Sequence, residues 1–279
     1  MTTTGPGTLR AHPSQLPTPR GTGSVARPGV IFDLDGTLVH SEPYWVAGFT
    51  TGLAQVLAAR GHGTHQLDPA AMARFQGGRV PDTIGAILGW LGLGDRIDGL
   101  EAVAITGAVI AYVSAAFVAD PAPITGAVST VRALHAAGVP MAVASSSAAS
   151  FIDAALDAMD LGAAFPVRVS ALPLPAGKPD PSVYRLALDQ LGLPATLALA
   201  VEDSPVGVFA AVNANLTCLW AQPGQQVPLT PDQLIALGAD PGAGVRQVPD
   251  IARLVRPVPA LSAPLVLAAL DELSTAHCR

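Results

Sequence analysis

The sequence predicts an α/β protein, in which a doubly wound parallel sheet carries a second, helical domain inserted near its start. Two observations lead to this class. From residue 126 onward, short apolar runs alternate with helical patterns, as the strands and helices of a parallel sheet do. Between residues 43 and 120, apolar residues recur only at helical spacing, which indicates the insert. The chain has 279 residues, 50% of them hydrophobic, which is enough to bury a sizeable core.

The first predicted strand is the apolar run 30–32, which leads directly into two acids, Asp33 and Asp35. Along a strand these two side chains would point to the same face, and Gly36 lets the chain turn sharply away. Two like charges this close repel each other, so the pair requires a divalent cation or a shared proton. Oxygen ligands of this kind favour magnesium. The alternative is a surface turn, which seldom follows such an apolar run.

The insert is predicted to be entirely helical. Its predicted helices cover residues 42–60, 68–76, 81 onward, and a long apolar segment, 102–119. Two glycines before Arg79 break the second helix and place this residue on a loop. The last segment carries no charge and is long enough to raise the question of a membrane span. We favour a buried amphipathic helix instead, because apolar residues recur there at helical spacing: Val103, Ile110, Val113 and Phe117.

The second half of the chain predicts alternating helices and strands. The predicted helices are 126–137, 148–159, 181–191 and 205–213, and the strands are 139–144, 167–170, 197–201 and 216–220. A further strand-helix unit around 245–255 and a terminal helix near 264–275 complete the pattern. Parallel strands joined by helices in this way form a doubly wound sheet.

Polar residues follow several of these strands. Ser145 ends the strand 139–144, and Glu202 and Asp203 end the strand 197–201. Lys178, the only lysine in the chain, precedes a predicted helix. Each residue alone is ordinary, because serines and acids often cap helices. The carboxyl ends of parallel strands meet at one edge of a sheet, so together these residues are expected to share a crevice with the acids after the first strand.

Composition narrows the class of partner. The formal charge of −6 argues against a nucleic-acid-binding protein, which needs clustered lysines and arginines. The two cysteines, Cys218 and Cys278, lie far apart and form no disulfide or zinc pattern, so a cytoplasmic location is expected. Residues 1–28 are rich in Thr, Pro, Gly and Ser and lack the apolar run of a signal peptide, so we predict a disordered extension there.

Four motifs in order resemble those of the haloacid dehalogenase superfamily, whose members are aspartate-nucleophile phosphotransferases. The motifs are Asp33-Leu34-Asp35-Gly36-Thr37, Ser145 after an apolar strand, Gly177-Lys178-Pro179-Asp180-Pro181, and Glu202-Asp203-Ser204-x-x-Gly207. The resemblance covers residues 29–220, with a weaker continuation to about 255. It implies a Rossmann-like core with a helical cap domain inserted after the first motif.

The resemblance implies a role for each acid. Asp33 attacks phosphorus to form an aspartyl-phosphate, and Asp35 protonates the leaving alcohol and then deprotonates the attacking water. A Mg²⁺ ion is expected to be held by Asp33, the backbone carbonyl of Asp35, and Asp203, with Glu202 binding directly or through water. One departure lies in the loop after this motif, where His40 replaces the aspartate that relatives usually carry.

The resemblance also implies how phosphate and substrate are held. Ser145, Ser146 and Lys178 are expected to hold the phosphoryl group, helped by backbone N–H groups around Leu34 and Gly36. In the cap, candidate substrate contacts are Trp45, Gln76 and Arg79. Each of these three side chains has an alternative role, as a core aromatic or as a solvated loop residue.

Within the superfamily the chain is similar to the subgroup of β-phosphoglucomutase-like proteins and sugar-phosphate phosphatases. The mutases carry a cap histidine and a cap lysine, whereas Trp45 stands at the matching place here and the cap has no lysine. We therefore predict a phosphatase of a small phosphorylated metabolite, foremost a sugar phosphate. Two alternatives stay open: a phosphosugar mutase, and a non-catalytic binding protein on the same scaffold.

The predicted domain organisation follows from the motifs. The core domain comprises residues 29–42 and 121–256, and the cap domain comprises residues 43–120. Residues 257–279 form a C-terminal extension, predicted to be helical. The expected partner is a small-molecule phosphomonoester, with no nucleic acid and no membrane, and the expected state is a monomer, with a homodimer as the alternative.

Overall fold

Six parallel strands form one sheet in the computed structural model, which describes residues 27–72, 79–222 and 254–277. The strands in chain order are β1 (Gly29–Phe32), β2 (Met141–Ser145), β3 (Val167–Ser170), β4 (Ala198–Glu202), β5 (Thr217–Ala221) and β6 (Val255–Val258). Across the sheet their order is β3-β2-β1-β4-β5-β6, and every neighbouring pair is parallel. The predicted doubly wound parallel sheet is confirmed.

The strand order reverses direction at β1, and this reversal creates the site. From β1 the chain adds β2 and β3 on one side, and then returns to add β4 on the other side. Phe32, the last residue of β1, is in register with Val143 of β2 and Val201 of β4. The residues that follow these three strands therefore meet at one edge, where ligands of doubly wound sheets bind.

The strands are apolar because they are covered on both faces. Every residue of β1, β2 and β4 is buried, down to the acid that ends β4, Glu202. A strand with two buried faces has no polar face, so its sequence is a continuous apolar run rather than an alternating one. This is why short apolar runs marked these strands correctly in the sequence.

A helical region follows β1 in the chain. Its helices are α1 (Glu42–Ala47), α2 (Leu53–Ala59), α3 (Pro69–Met72), α4 (Val80–Trp90) and α5 (Gly99–Ala119). The π-helical segment Gly48–Gly52 joins α1 to α2, so the helix predicted over 42–60 is confirmed with one wider turn in the middle. Gly48 allows α5 to pass closely, because a β-carbon at this position would overlap the side chain of Val113.

The long apolar helix α5 buries one face and exposes the other. Three of the four residues predicted to be buried are buried: Ile110, Val113 and Phe117. Val103 is 70% exposed, so the prediction that it is buried is wrong. Val103 lies near the N-terminal end of α5, two residues before Ile105, which is the first buried residue of the helix. By length and composition α5 could cross a membrane, and 22% of its most apolar window is buried in the protein.

Five further helices cover the sheet. They are α6 (Ala127–Ala136), α7 (Ala149–Ala158), α8 (Ser182–Leu191), α9 (Pro205–Asn213) and α10 (Ala263–His277). Each matches a predicted helix to within about two residues. The C-terminal helix α10 follows the edge strand β6 in the chain and packs against α6 and β4. The unit predicted around 245–255 falls largely outside the described residues, and the predicted domain boundaries stay a prediction.

Aromatic packing joins the helical region to the sheet domain. The ring of Phe117 in α5 lies edge-on to two other rings, at 5.2 Å from Tyr44 in α1 and at 5.7 Å from Phe151 in α7. Edge-to-face pairs of this kind add to the free energy gained by burial itself. Phe117 is fully buried, so it anchors α5 to both neighbours.

We predict that Phe117→Ala lowers the free energy of unfolding by about 3–5 kcal/mol, because it removes a buried ring and leaves a cavity. Val103→Ala, on the same helix but mostly exposed, should change it by less than about 0.5 kcal/mol. Chemical denaturation followed by circular dichroism would measure both. Equal effects of the two substitutions would contradict the observed orientation of α5.

Candidate active site

Asp33 and Lys178 form a buried ion pair at the carboxyl end of the sheet. Asp33 directly follows β1, and Lys178 lies in the loop between β3 and α8. The Nζ atom of Lys178 is 2.6 Å from Oδ1 of Asp33, and 5% of the lysine side chain is exposed. The only lysine in the chain therefore places its positive charge beside the predicted nucleophile.

Glu202, at the end of β4, is a second partner of the same lysine. Its Oε1 atom lies 2.5 Å from Nζ of Lys178 and accepts a hydrogen bond of 2.6 Å from the hydroxyl of Tyr184. Its other oxygen accepts a longer bond from Ser204. Gly207 packs directly against this carboxylate, where any larger residue would overlap it. Glu202 is completely buried and its oxygens are occupied, so it fixes the position of the lysine.

Burial and crowding shift the pKa values of these groups. Burial, together with the negative charges of Glu202 and Asp203, raises the pKa of Asp33 well above its usual value, although Lys178 opposes this shift. For Asp203, burial and the charge of Glu202 raise the pKa to about 7. Burial alone would lower the pKa of Lys178, but the Asp33 and Glu202 carboxylates outweigh it and raise the pKa. The site thus holds more negative charge than its one lysine balances.

The excess of carboxylates matches the ligand set of a divalent cation. Ligand oxygens of Asp33, Glu202 and Asp203 all lie within 4.8 Å of one another. Gly36 packs directly against the carboxylate of Asp203, and its φ of +84° is a conformation that glycine adopts readily. Hard cations such as Mg²⁺ prefer oxygen ligands, so this cluster fits one. Because Lys178, Tyr184 and Ser204 already bond to Glu202, we expect Asp33 and Asp203 to be the main ligands.

Asp35 is held by four side-chain donors, two on each carboxylate oxygen. Oδ1 accepts hydrogen bonds from Oγ of Ser41 at 2.5 Å and from Nε1 of Trp45 at 3.1 Å. Oδ2 accepts hydrogen bonds from Oγ of Ser147 at 2.7 Å and from Oγ of Ser145 at 3.1 Å. Two donors come from the start of the helical region, one is the last residue of β2, Ser145, and one lies in the loop that follows, Ser147. The predicted general acid is therefore fixed from both sides.

Two predicted phosphate contacts are engaged elsewhere. The hydroxyl of Ser145 is fully buried and donates to Asp35, and it also accepts the backbone N–H of Ser147. The backbone N–H of Gly36 donates to the carbonyl of Val39 at 2.8 Å, because the chain turns tightly there. In this arrangement both donors are engaged within the protein, and their contacts with a phosphate stay predictions. Leu34 is fully buried beneath the same turn.

A cavity of about 340 Å³ lies over these residues. The lining residues at its sheet side are Asp33, Asp35, Gly36, Ser146, Ser147, Lys178 and Asp203. The other lining residues lie in the loop before α1, in α1, in the π-helical segment, and at the starts of α4 and α9. They are His40, Ser41, Glu42, Trp45, Val46, Phe49, Val80, Ser204 and Val206. A pocket of this size is at the small end of the range for small-molecule sites.

The three cap residues singled out in the sequence have different outcomes. Trp45 lines the cavity, as predicted. Arg79 does not line it: its guanidinium donates to Asp82 at 2.8 Å and to the carbonyl of Leu174 at 3.0 Å. Because Arg79 immediately precedes α4, its side chain bonds to the first turn of that helix, and its contact with a substrate stays a prediction. Gln76 lies outside the described residues.

Several residues of the site were missed in the sequence. Ser41 and Ser147 hold Asp35, and Tyr184 holds Glu202. Ser147 stands two residues after Ser145, a spacing that could have suggested a shared partner. Ser41 and Tyr184 had no local signal, because each meets its carboxylate only through the packing of a helix against the sheet.

The fold and the site together define a family. The chain belongs to the haloacid dehalogenase-like hydrolases, whose family model matches residues 28–215. It is a phosphatase of this family, and its doubly wound sheet matches the Rossmann-like core of these proteins. The resemblance seen in the four motifs is confirmed.

Individual relatives agree with this class. The phosphoglycolate phosphatase of Rhodospirillum rubrum is 35% identical over 191 residues, which cover 67% of this chain and 76% of that protein. The structure is similar to CbbY from Rhodobacter sphaeroides in complex with xylulose-(1,5)bisphosphate, with 25% identity, a TM-score of 0.57, and coverage of 70% of this chain and 86% of that one. The fold also matches β-phosphoglucomutase from Clostridium difficile, with 15% identity, a TM-score of 0.63, and coverage of 91% and 100%.

We predict that Trp45→Phe lowers kcat for p-nitrophenyl phosphate about 10-fold, equivalent to about 1.4 kcal/mol. The substitution removes one donor from Asp35 but keeps an aromatic ring against Phe49 and Phe151. Steady-state kinetics would measure the change. Trp90→Phe, at a half-exposed position outside the cavity, is the matched control and should leave kcat unchanged. An unchanged kcat in Trp45→Phe would contradict its role in holding Asp35.

Proposed function

We propose that this protein is a magnesium-dependent phosphomonoester hydrolase that acts on small phosphorylated metabolites, sugar phosphates foremost. One observation carries the proposal. Asp33, paired with Lys178, and Asp35, held by four donors, line the same small cavity beside a cluster of acids. These are a nucleophile, a proton donor and a positive charge for the phosphoryl oxygens, which together are what phosphoryl transfer requires.

In the first step, a carboxylate oxygen of Asp33 forms a bond to phosphorus while the bond between phosphorus and the substrate oxygen breaks. Asp35, protonated before this step, transfers its proton to the departing oxygen, so a neutral alcohol leaves. The product is an aspartyl-phosphate on Asp33. Its carboxylate is a sufficient nucleophile only in the ionised form, and the adjacent Lys178 favours that form.

In the second step, water replaces the alcohol. Asp35, now a carboxylate, takes a proton from water while the water oxygen bonds to phosphorus. The bond between phosphorus and Asp33 breaks, which restores the Asp33 carboxylate and releases inorganic phosphate. Asp35 is then protonated again and ready for the next substrate.

The donors around Asp35 suit both of its protonation states. Serine hydroxyls can donate or accept, so Ser41 or Ser147 can rotate to accept the proton of a neutral Asp35. The indole N–H of Trp45 can only donate, so it keeps its bond to the other lone pairs of the carboxyl group. The carboxyl group therefore keeps its position while its charge changes.

The acidic cluster is the proposed Mg²⁺ site. Asp33 and Asp203 would hold the ion, with the backbone carbonyl of Asp35 as a further ligand and Glu202 acting directly or through water. When bound, Mg²⁺ would offset negative charge on the phosphoryl oxygens. The chain itself supplies Lys178 for the same purpose and Ser146 at the cavity wall as a hydrogen-bond donor.

A phosphatase is favoured over a mutase by the residue that contacts Asp35. A mutase must protect its phosphoenzyme from water until a second sugar hydroxyl arrives. The cap residue beside Asp35 is Trp45, whose indole N–H neither gives nor takes a proton near neutral pH. We therefore propose water as the acceptor. A cytoplasmic location and a monomeric state are likewise proposals that rest on the sequence.

We predict that Asp33→Asn lowers phosphate release more than 100-fold, because an amide is not a nucleophile of this kind. Release of inorganic phosphate from a panel of sugar phosphates would measure it, with circular dichroism to confirm folding. Asp189→Asn, on the exposed side of α8, is the matched control and should keep full activity. A folded Asp33→Asn protein with a tenth of the original turnover would overturn the mechanism.

We also predict that excess chelator stops hydrolysis and that Mg²⁺ restores it. Asp203→Ala should raise the Mg²⁺ concentration for half-maximal activity at least 10-fold, because it removes a ligand of the acidic cluster. Glu42 lines the cavity but lies outside this cluster, so Glu42→Gln is the matched control. Its Mg²⁺ dependence should match that of the unchanged protein. Full activity in chelator would refute the metal assignment.

A further inference from the structure

The helical side of the cavity is apolar. Trp45, Val46 and Phe49 from the first helical stretch and Val80 from the start of α4 line it. Val80 and Phe49 are almost completely buried, and the rings of Trp45 and Phe49 stack at a centroid distance of 5.8 Å. The one charged residue that the helical region adds to the lining is an acid, Glu42. Within the described chain, this part of the wall offers no positive charge to a ligand.

The whole lining carries more negative than positive charge. Four carboxylates face the cavity: Asp33, Asp35, Glu42 and Asp203. Among the described lining residues, Lys178 is the single lysine or arginine. Its Nζ is already bonded to Asp33 and Glu202, deep at the sheet side. One phosphoryl group next to the acidic cluster would use this positive charge. A second anion would find no further lysine or arginine among the described lining residues, whose one imidazole, His40, is exposed.

Arg79, the described arginine next to the lining residue Val80, is held outside the cavity. Its guanidinium is bonded to the Asp82 carboxylate and to the carbonyl of Leu174. The aliphatic part of its side chain packs against Gly177, next to Lys178 in the chain. These contacts hold Arg79 against the loop that carries Lys178, whereas the adjacent Val80 lines the cavity.

We infer that the cavity selects phosphomonoesters whose organic part carries no second negative charge, and that Val80 is a determinant of this selectivity. A carboxylate or a second phosphate placed against Val80 and Phe49 would lose its water and gain no partner. An unpaired buried charge is strongly unfavourable, whereas an uncharged polyol carbon chain can pack on apolar and aromatic side chains. This inference rests on the proposed hydrolase activity and concerns the same site.

The selectivity would separate this protein from the relatives named above. The phosphoglycolate phosphatases are named for a substrate with a carboxylate, and CbbY was crystallised with a bisphosphate. Both molecules carry a second anionic group in addition to the phosphoryl group that is attacked. By the charge of its cavity, this chain should discriminate against both.

Two matched pairs of substrates test the inference on the unchanged full-length protein with Mg²⁺. The first pair, 2-hydroxyethyl phosphate and 2-phosphoglycolate, differs in a hydroxymethyl group against a carboxylate. The second pair, xylulose 5-phosphate and xylulose 1,5-bisphosphate, differs in a second phosphate. We expect kcat/KM to be at least 10-fold higher for the singly phosphorylated, otherwise uncharged member of each pair. Equal values, or a preference for the anionic member in either pair, would overturn the inference.

A substitution then tests the named determinant. Val80→Arg should shift the ratio of kcat/KM for 2-phosphoglycolate over 2-hydroxyethyl phosphate upward by at least 10-fold, because it adds a cation to the apolar wall. Val80→Met, which adds length without charge, should leave the ratio unchanged. Equal shifts in both variants would overturn the role of Val80, and the substrate pairs decide the inference even if Val80→Arg does not fold.

Failure of the underlying activity gives a different result. If no member of either pair releases phosphate in an Asp33-dependent manner, the proposed hydrolase function itself is wrong. If phosphate is released and only the preference between members is reversed, the hydrolase function stands and the substrate inference is wrong.

Discussion

The buried contact of Lys178 with Asp33 and Glu202 is the interaction on which the rest of the site depends. Two carboxylates at the ends of neighbouring strands would repel each other, and burial makes the repulsion stronger because water does not screen it. One ammonium group between them offsets much of this cost, with Tyr184 completing the hydrogen bonds of Glu202. Removing Lys178 would leave two buried carboxylates without a compensating charge, which is strongly destabilising.

A second set of contacts ties the helical region to the chemistry. Asp35 takes two of its four hydrogen bonds from Ser41 and Trp45, which lie where the chain enters the helical region. The ring of Trp45 packs edge-on to Phe151 in α7, at 5.2 Å. The same residues that line the cavity on its helical side therefore also orient the proposed proton donor, Asp35. The ring of Phe117 also packs edge-on to Phe151 and so supports this arrangement.

Charged residues line the sheet side of the cavity, and mainly apolar residues line its helical side. All groups proposed for catalysis come from the sheet side, where carboxylates and Lys178 are concentrated. The helical side is apolar, with Val80 and Phe49 buried in its wall. In the proposed mechanism the core supplies the groups for phosphate chemistry, and side chains that take no part in bond making would select the organic part of the substrate. Relatives can share the catalytic residues of the core and differ in the residues that contact the organic part of the substrate.

The sequence alone determined the sheet, the helices and the family, because each depends on local pattern: apolar runs, helical spacing, and four motifs at strand ends. It also placed Asp33, Lys178, Glu202 and Asp203 at one edge, since parallel strands end together. Only the tertiary structure decided which hydroxyls hold Asp35, that Arg79 turns away from the cavity, and that Val103 is exposed. Those outcomes depend on how helices pack against the sheet, and side chains far apart in the chain compete there for the same partners.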